Sequence, residues 1–404
     1  MKRQDDEMGP SRNPSIIDIV GHLEDMGIEL GFNMLVREPF KTGPLPWAPS
    51  NLQRPWTDTD DSRLYAALQS DIGLRSDRNY EHAVRIYADN RSYDPLVNLL
   101  DSLHWDGAER AGSLFSMYLG AHESEYNVEV ERLWLCEAVA RAYHPGAKCD
   151  YTPVLAGPGG IGKSTFARLM ALEDQLYCDS VNDLSDVKRC GELIRSKWIV
   201  ELAELSGISG RALEGVKAGL TRQADEYRGA YCRRTNIFPR RAVFLATTND
   251  IDFISDKTSG ARRFLPVACG INRPTSSLFA PNSHHVAEQV WAEVVYWMKS
   301  GDERFRLTLS PKMEMEAARQ RDNFREEDPL VHPVLGYLAR NTDHPICTRE
   351  VIERGLKTTP TLALCKHVAR ILTNDAPGWV ASGKRLCLGY GKQRCWSHQH
   401  QDRD

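Results

Sequence analysis

The chain has 404 residues, 41% of them hydrophobic and 26% charged, with a formal net charge of −4. That length supports a sizeable core spread over one to three domains, and the composition excludes a disordered or collagen-like chain. The acidic balance excludes a globally basic molecule, so any contact with nucleic acid must come from local patches.

No run of 18 apolar residues occurs, and the segment Met1-Lys-Arg-Gln-Asp-Asp-Glu7 is followed by no apolar stretch, so neither a membrane partner nor a secretory signal is expected. Ten cysteines without a Cys-x-x-Cys pair fit free thiols in a reducing cytoplasm rather than a zinc site. Residues 1–28 are expected as a polar tail punctuated by Pro10 and Pro14, with the spacing of a short amphipathic helix over 15–28. Residues 29–92 are expected as a mostly helical N-terminal domain. There Pro44, Pro46, Pro49 and Pro55 mark a loop-rich stretch, and helical patterns follow at Asp60–Ser70 and Asn79–Asp89.

Residues 93–305 are helical to about 150, and Val128, Leu135, Val139 and Ala142 form one stripe that predicts packing against a neighbour. The texture then changes. Buried-type strands at Tyr151–Ala156, Lys197–Leu202 and Arg241–Thr247 alternate with helical stretches, the pattern of a parallel sheet covered by helices. Residues 306–330 read as a helical linker. Residues 331–404 hold 11 Lys+Arg against 6 Asp+Glu, a local excess of +5. Helical patterns at Thr348–Gly355 and Thr361–Thr373, then a hairpin over Trp379–Trp396 turning near Gly383, fit a basic winged-helix-like domain. That pattern serves DNA binding and protein docking alike.

Gly157-Pro158-Gly159-Gly160-Ile161-Gly162-Lys163-Ser164 fits G-x-x-x-x-G-K-[ST] at every fixed position. Glycines let backbone N–H groups turn inward around a phosphate, and the start of the following helix (Thr165–Leu172) adds its positive end. Lys163 is expected to bridge the β- and γ-phosphates of ATP and Ser164 to ligate Mg²⁺, with Thr165 completing the cradle. A chance glycine-rich turn would not carry the strand before, the Lys-Ser pair and the helix after. Trp198-Ile-Val-Glu201-Leu-Ala-Glu204 ends the second strand with two acids. One is expected beside the metal and the other beside the attacking water, in either order, and the second could instead be a solvated loop carboxylate. Asn249, at the tip of the third strand, is the candidate for orienting water. Arg262 and Arg263 are candidates for an arginine that reaches a neighbour's γ-phosphate; taken alone, a solvated face or a structural ion pair explains them better.

Between the strands, Arg222, Arg228, Arg233, Arg234, Arg240 and Arg241 interleave with Tyr227, Tyr231 and Phe238. Arginines for phosphates and aromatic faces for bases suit a single strand. The competing reading is an exposed loop in which the arginines pair with Asp225 and Glu226.

The ordered set resembles the virulence-associated protein E family of phage and genomic-island ATPases, related to superfamily 3 helicases. The matching residues are Ser92-Tyr-Asp-Pro95, Leu103-His-Trp-Asp-Gly107, Ala138–Gly146, Lys148–Leu155, Gly157–Ser164, Trp198–Leu205, Asp225–Tyr231, Pro239-Arg-Arg241, Thr247-Thr-Asn249 and Ser259–Pro266. A weaker similarity runs from about residue 29 through Pro46-Trp47 and Pro55–Asp60. The resemblance implies an AAA+-like P-loop NTPase core. It implies a nucleotide site between subunits of a homo-hexameric ring, Glu201 and Glu204 as the acidic motif, Asn249 as sensor and Arg262 or Arg263 as the finger in trans. By position, Arg222–Arg241 looks like the insertion that carries the pore hairpin. The stretch before the match is too short for a primase domain, so priming is not expected and a separate primase or polymerase is. Leu265 stands where the family often has tryptophan.

The reading is an α/β chain that hydrolyses ATP with Mg²⁺ to unwind or translocate on DNA during replication of a phage or mobile element, in the cytoplasm of a bacterial host, with single-stranded DNA in a central pore. Two other classes share its motifs: an ATP-switched initiator or loader, and a small-molecule kinase that would need no trans arginine.

Overall fold

The computed structural model describes residues 13–181, 184–203, 211–228, 235–249, 261–324, 330–387 and 389–399. The chain divides into two compact units, Met1–Phe324 and Arg325–Asp404.

The first unit opens with helix α1 (Ile16–Asp25), started by a reciprocal cap between Ser15 and Asp18. Ile19 and Leu23 are fully buried, so this stretch belongs to the folded unit and not to a tail. Strands β1 (Leu30–Asn33), β2 (Glu38–Lys41) and β3 (Arg54–Pro55), helices α2 (Asp58–Ile72) and α3 (Asp77–Asp89), and strand β4 (Ser92–Tyr93) follow. The strands form a sheet in the order β3-β2-β1-β4. A mostly helical region was expected here; strands of two to four residues are too short for a period-two pattern to show. Asp60, buried at the start of α2, accepts from Trp47 Nε1 (2.9 Å), Arg54 Nη2 (2.9 Å) and Thr57 Oγ1 (2.7 Å). These bonds tie the proline-rich loop to the helix, and the Arg54 guanidinium holds the Asp60 carboxyl well below the usual carboxylate range.

Helices α4 (Pro95–Ser102), α5 (Leu114–Leu119) and α6 (Glu125–Tyr143) lead to the main sheet. Its strands and interposed elements are β5 (Thr152–Ala156), α7 (Lys163–Met170), β6 (Tyr177–Cys178), α8 (Val187–Ile194), β7 (Ile199–Leu202), α9 (Arg211–Leu220), the hairpin strands β8 (Ala224–Tyr227) and β9 (Asn236–Pro239), β10 (Val243–Thr248) and β11 (Phe264–Ala268). Five of these strands pair in parallel in the order β11-β5-β10-β7-β6. Both faces are covered, so β5, β7 and β10 are buried throughout and read as continuous apolar runs. One face packs on α6, α7 and the following helix α10 (Ser283–Ser300), around Trp134, Trp198, Trp291 and Trp297. The other face packs on Cys190 and Ile194 of α8 and on Val216 and Leu220 of α9.

Helix α11 (Pro311–Asn323), expected as a linker, closes this unit. Its Met313 and Ala317 are buried in the same core, so the boundary falls after Phe324. The second unit contains α12 (Val331–Leu338), β12 (Ile346–Cys347), α13 (Thr348–Glu350), a π-helical turn to Gly355, α14 (Leu362–Asn374), β13 (Trp379–Cys387) and β14 (Gly391–His398), with sheet order β12-β14-β13. Cys387 pairs with Gly391, so the hairpin turns between them and not near Gly383. Gly383 sits instead at an irregularity in β13 with φ of +81°, where glycine is favoured. Among the described residues no helix is long and apolar enough to cross a membrane.

Candidate functional site

Period-two alternation decides what faces what. Along β7, Ile199 lies in the core on the α7 side while Val200 and Leu202 lie in the core opposite, which puts Glu201 on the α7 side. Along β10, Val243 and Leu245 share that side, and so therefore does Thr247; along β6, Tyr177 does. Leu245 pairs with Glu201, and Tyr177 with Ile199, so the three polar side chains converge above the sheet.

Glu201 is their centre. It is 1% exposed and accepts from Ser164 Oγ at 2.7 Å and Thr247 Oγ1 at 2.6 Å on one oxygen, and from the Tyr177 hydroxyl on the other. Burial and the Glu201 contact push the Tyr177 hydroxyl above its ordinary value. Tyr177 had no sequence signal, because it stands alone on a two-residue strand.

The loop Gly157–Gly162 runs from the end of β5 to α7. Gly157 has no room for a side chain, since a Cβ there would lie 2.4 Å from the Cys269 carbonyl oxygen. Gly162 adopts φ of +97° immediately before α7 and forms no side-chain cap, which leaves the first N–H groups of that helix to an anion. Lys163 Nζ donates to the carbonyls of Gly157 (2.7 Å) and Pro158 (2.9 Å) and to Asn249 Oδ1 (3.0 Å). Burial lowers its ammonium from the usual lysine value. A cleft of about 370 Å³ is lined by Gly159, Gly160, Gly162, Lys163, Ser164, Thr165, Thr247, Thr248 and Asn249. The cleft thus combines an ammonium, free helix-start N–H groups and a carboxylate beside a hydroxyl. The first two suit a polyphosphate, and the Ser164–Glu201 oxygens suit a hard divalent cation. Pro158 and Ile161 belong to the same loop, while Glu204 lies outside the described residues.

Arg262 and Arg263 occupy a short turn before β11. Because β11 runs parallel to β5, in register from Phe264 with Thr152 to Ala268 with Ala156, the arginines lie at the end of the sheet opposite the glycine loop. About 13 Å of strand, at ~3.3 Å per residue, intervenes. They do not join the site of their own chain, and instead line a polar cavity of about 480 Å³ with Lys148, Asp150, Tyr151 and Glu314.

The basic segment divides. Arg240 is 3% exposed and grips Asp225 through two nitrogens, at 2.6 and 2.7 Å. Arg241, 8% exposed, donates to the Ala142 carbonyl at 3.1 Å and pairs with Asp94. Tyr227 is buried and stacked on Phe238 with ring centres 4.6 Å apart. These three are corrections to the DNA-contact expectation, because a buried guanidinium or ring has no surface to offer a strand. Arg222 is half-buried and also bonds Asp225, at 3.2 Å. Arg228 is exposed at the end of β8, and Tyr231, Arg233 and Arg234 lie outside the described residues.

The model of the virulence-associated protein E-like domain matches residues 100–326. No curated protein matches the sequence. The fold is similar to a solved structure of the NrS-1 C-terminal region in its apo state, with 13% identity, coverage of 96% of this chain and all of that one, and a TM-score of 0.53. A second structure of that region, its A form, aligns over the same shares at 11% identity and a TM-score of 0.52. The family match spans more than half of the chain, from the last turn of α4 to just beyond α11, and takes in the loop, Glu201 and Asn249: this chain belongs to the virulence-associated protein E-like family.

Proposed function

We propose that the protein is an ATP-hydrolysing ring, AAA+-like in its core, that unwinds or translocates on DNA during replication of a phage or mobile element. The observation that carries the reading is the junction of Lys163 and Ser164 with Glu201 and Asn249 at one end of the parallel sheet. Lys163 would bind the β- and γ-phosphate oxygens, the helix-start N–H groups would hold the remaining phosphate charge, and Asn249 would orient the attacking water. Ser164 and Glu201 would hold Mg²⁺, which neutralises charge on the phosphates when bound. Thr247 and Tyr177 keep the Glu201 carboxylate in place. Among the described residues no arginine lines the cleft, while Arg262 and Arg263 sit at the far end of the sheet, an arrangement that favours a site completed by a neighbouring copy in a homo-hexamer. Single-stranded DNA would thread the pore near Arg228, Tyr231, Arg233 and Arg234. The basic C-terminal unit, read as a winged helix, supplies a separate contact to duplex DNA.

The test is ATP hydrolysis with and without single-stranded DNA, beside the native mass in ATP. Stimulated hydrolysis by an oligomer supports the reading. Hydrolysis indifferent to DNA by a monomer contradicts it and returns the chain to the small-molecule kinase class, and stimulated hydrolysis without strand displacement identifies a loader.

A further inference from the structure

The hairpin β13–β14 carries Lys384, Arg385, Lys392 and Arg394 and no acidic residue. Its register places Lys384 directly opposite Arg394, and two residues along places Leu386 opposite Lys392. Those four side chains therefore share one face of the ladder. At Trp396 this face is covered by the core of the unit; toward the turn it runs clear. Lys384, Lys392 and Arg394 are exposed, and Leu386 is 84% exposed.

A like-charged pair directly across a ladder is destabilising. Among the described residues no carboxylate offsets it; the Arg394 guanidinium lies over the Trp396 ring, 5.2 Å from its centre, which leaves the repulsion across the ladder without an opposite charge. The ion pairs of this unit, His344 with Asp343 and with Glu350 and Arg354 with Glu350, use none of the three cations. The face keeps a cost in the free protein that a polyanion with closely spaced charges would remove. It also offers no aromatic surface for stacking: Trp396 is buried and Tyr390 packs against the cysteines beneath the hairpin. Proteins that hold single strands rely on such stacking, so the chemistry here is that of backbone phosphates alone.

We infer that this face of the hairpin docks on duplex DNA, with Lys384, Lys392 and Arg394 on phosphates and Leu386 against the adjoining sugars. The inference rests on the proposal that the chain acts on DNA. It assigns the duplex contact to the hairpin rather than to the exposed Lys366 and Arg370 of α14.

The test compares the full chain with the variant Lys384→Gln, Lys392→Gln, Arg394→Gln, measuring anisotropy of a short labelled duplex across a salt series. The variant should bind at least about tenfold more weakly at low salt. The slope of log affinity against log salt should fall by about 2 to 3, near 0.9 for each phosphate that is no longer neutralised. Its thermal midpoint should equal or exceed that of the unaltered chain, and its hydrolysis with single-stranded DNA should be unchanged. Unaltered affinity and slope would overturn the inference, as would a loss seen only in the comparison variant Lys366→Gln, Arg370→Gln. If the unaltered chain hydrolyses ATP with single strands yet binds no duplex, the inference alone falls and the hairpin is a protein-docking face. If it responds to neither, the proposed function falls with it.

Discussion

Lys163 and Glu201 hold the two sides of the site, and each makes hydrogen bonds that a single substitution removes. Lys163→Ala is expected to abolish hydrolysis with the thermal midpoint little changed, because the ammonium's partners are two carbonyls and Asn249 at the edge of the cleft rather than core groups; retained turnover in the purified variant would disprove the site. Tyr177 is a positioning residue, acting on Glu201 and not on nucleotide. A hydrogen bond to a charged group contributes about 1.5–3 kcal/mol, so Tyr177→Phe should raise the Mg²⁺ concentration for half-maximal hydrolysis roughly tenfold or more. Nucleotide affinity measured in EDTA should stay as it was. A merely structural tyrosine would shift the thermal midpoint and leave the Mg²⁺ dependence alone.

At the scale of elements, the hairpin β8–β9 is fixed at its base by Arg240 and Asp225, 1% and 3% exposed at their side chains. Removing one member of a buried pair leaves the other charged and unmatched, at about 3–5 kcal/mol. Arg222 still bonds Asp225 in Arg240→Ala, so that substitution should lower the unfolding free energy measured in urea by up to that scale and reduce all activities together, whereas an arginine that only touched DNA would lose affinity and keep stability. Helix α6 carries a buried carboxyl. Glu137 accepts from the N–H groups of Asp150 and Tyr151 at 3.1 and 3.4 Å, and its other oxygen has no partner. Burial pushes its carboxyl up to about 8 from the ordinary 4.5. A group raised in the folded state contributes stability below its unfolded value and loses it as pH rises through the folded one. Stability should thus decline between about 4.5 and 8, and Glu137→Gln should flatten that part of the urea-midpoint profile. Parallel profiles for the two proteins would remove Glu137 as the cause.

These elements show what the residues disclosed in advance. The glycine loop, the fully buried strands β5, β7 and β10 and Glu201 were legible because a buried parallel strand is a continuous apolar run and a phosphate cradle has fixed glycine spacing. The short strands β1 to β4 and β6 were not, since two to four residues outside such a run carry no period. Arg240 and Arg241 misled because composition gives charge without burial: the segment read as a loop contributes a hairpin base whose guanidinium salts with Asp225 and Asp94 sit inside the fold. Gly383 misled because positive φ serves a bulge as well as a turn.

At the scale of the molecule, the parallel register separates the glycine loop from Arg262 and Arg263 by the length of the sheet, so a second copy would be needed to bring these arginines to the loop. Removing an arginine finger costs about 10³–10⁵ in turnover and little in nucleotide affinity, since it acts on charge that develops in the transition state. The variant Arg262→Ala, Arg263→Ala should hence bind ATP and fail to hydrolyse it. The most direct test mixes that variant with Lys163→Ala at several ratios while native mass reports mixed oligomers. One partner supplies an intact loop and the other an intact arginine pair, so hydrolysis is expected to return and to peak near equal proportions. Mixed oligomers that stay inactive at every ratio would contradict a shared site and confine these arginines to their own chain.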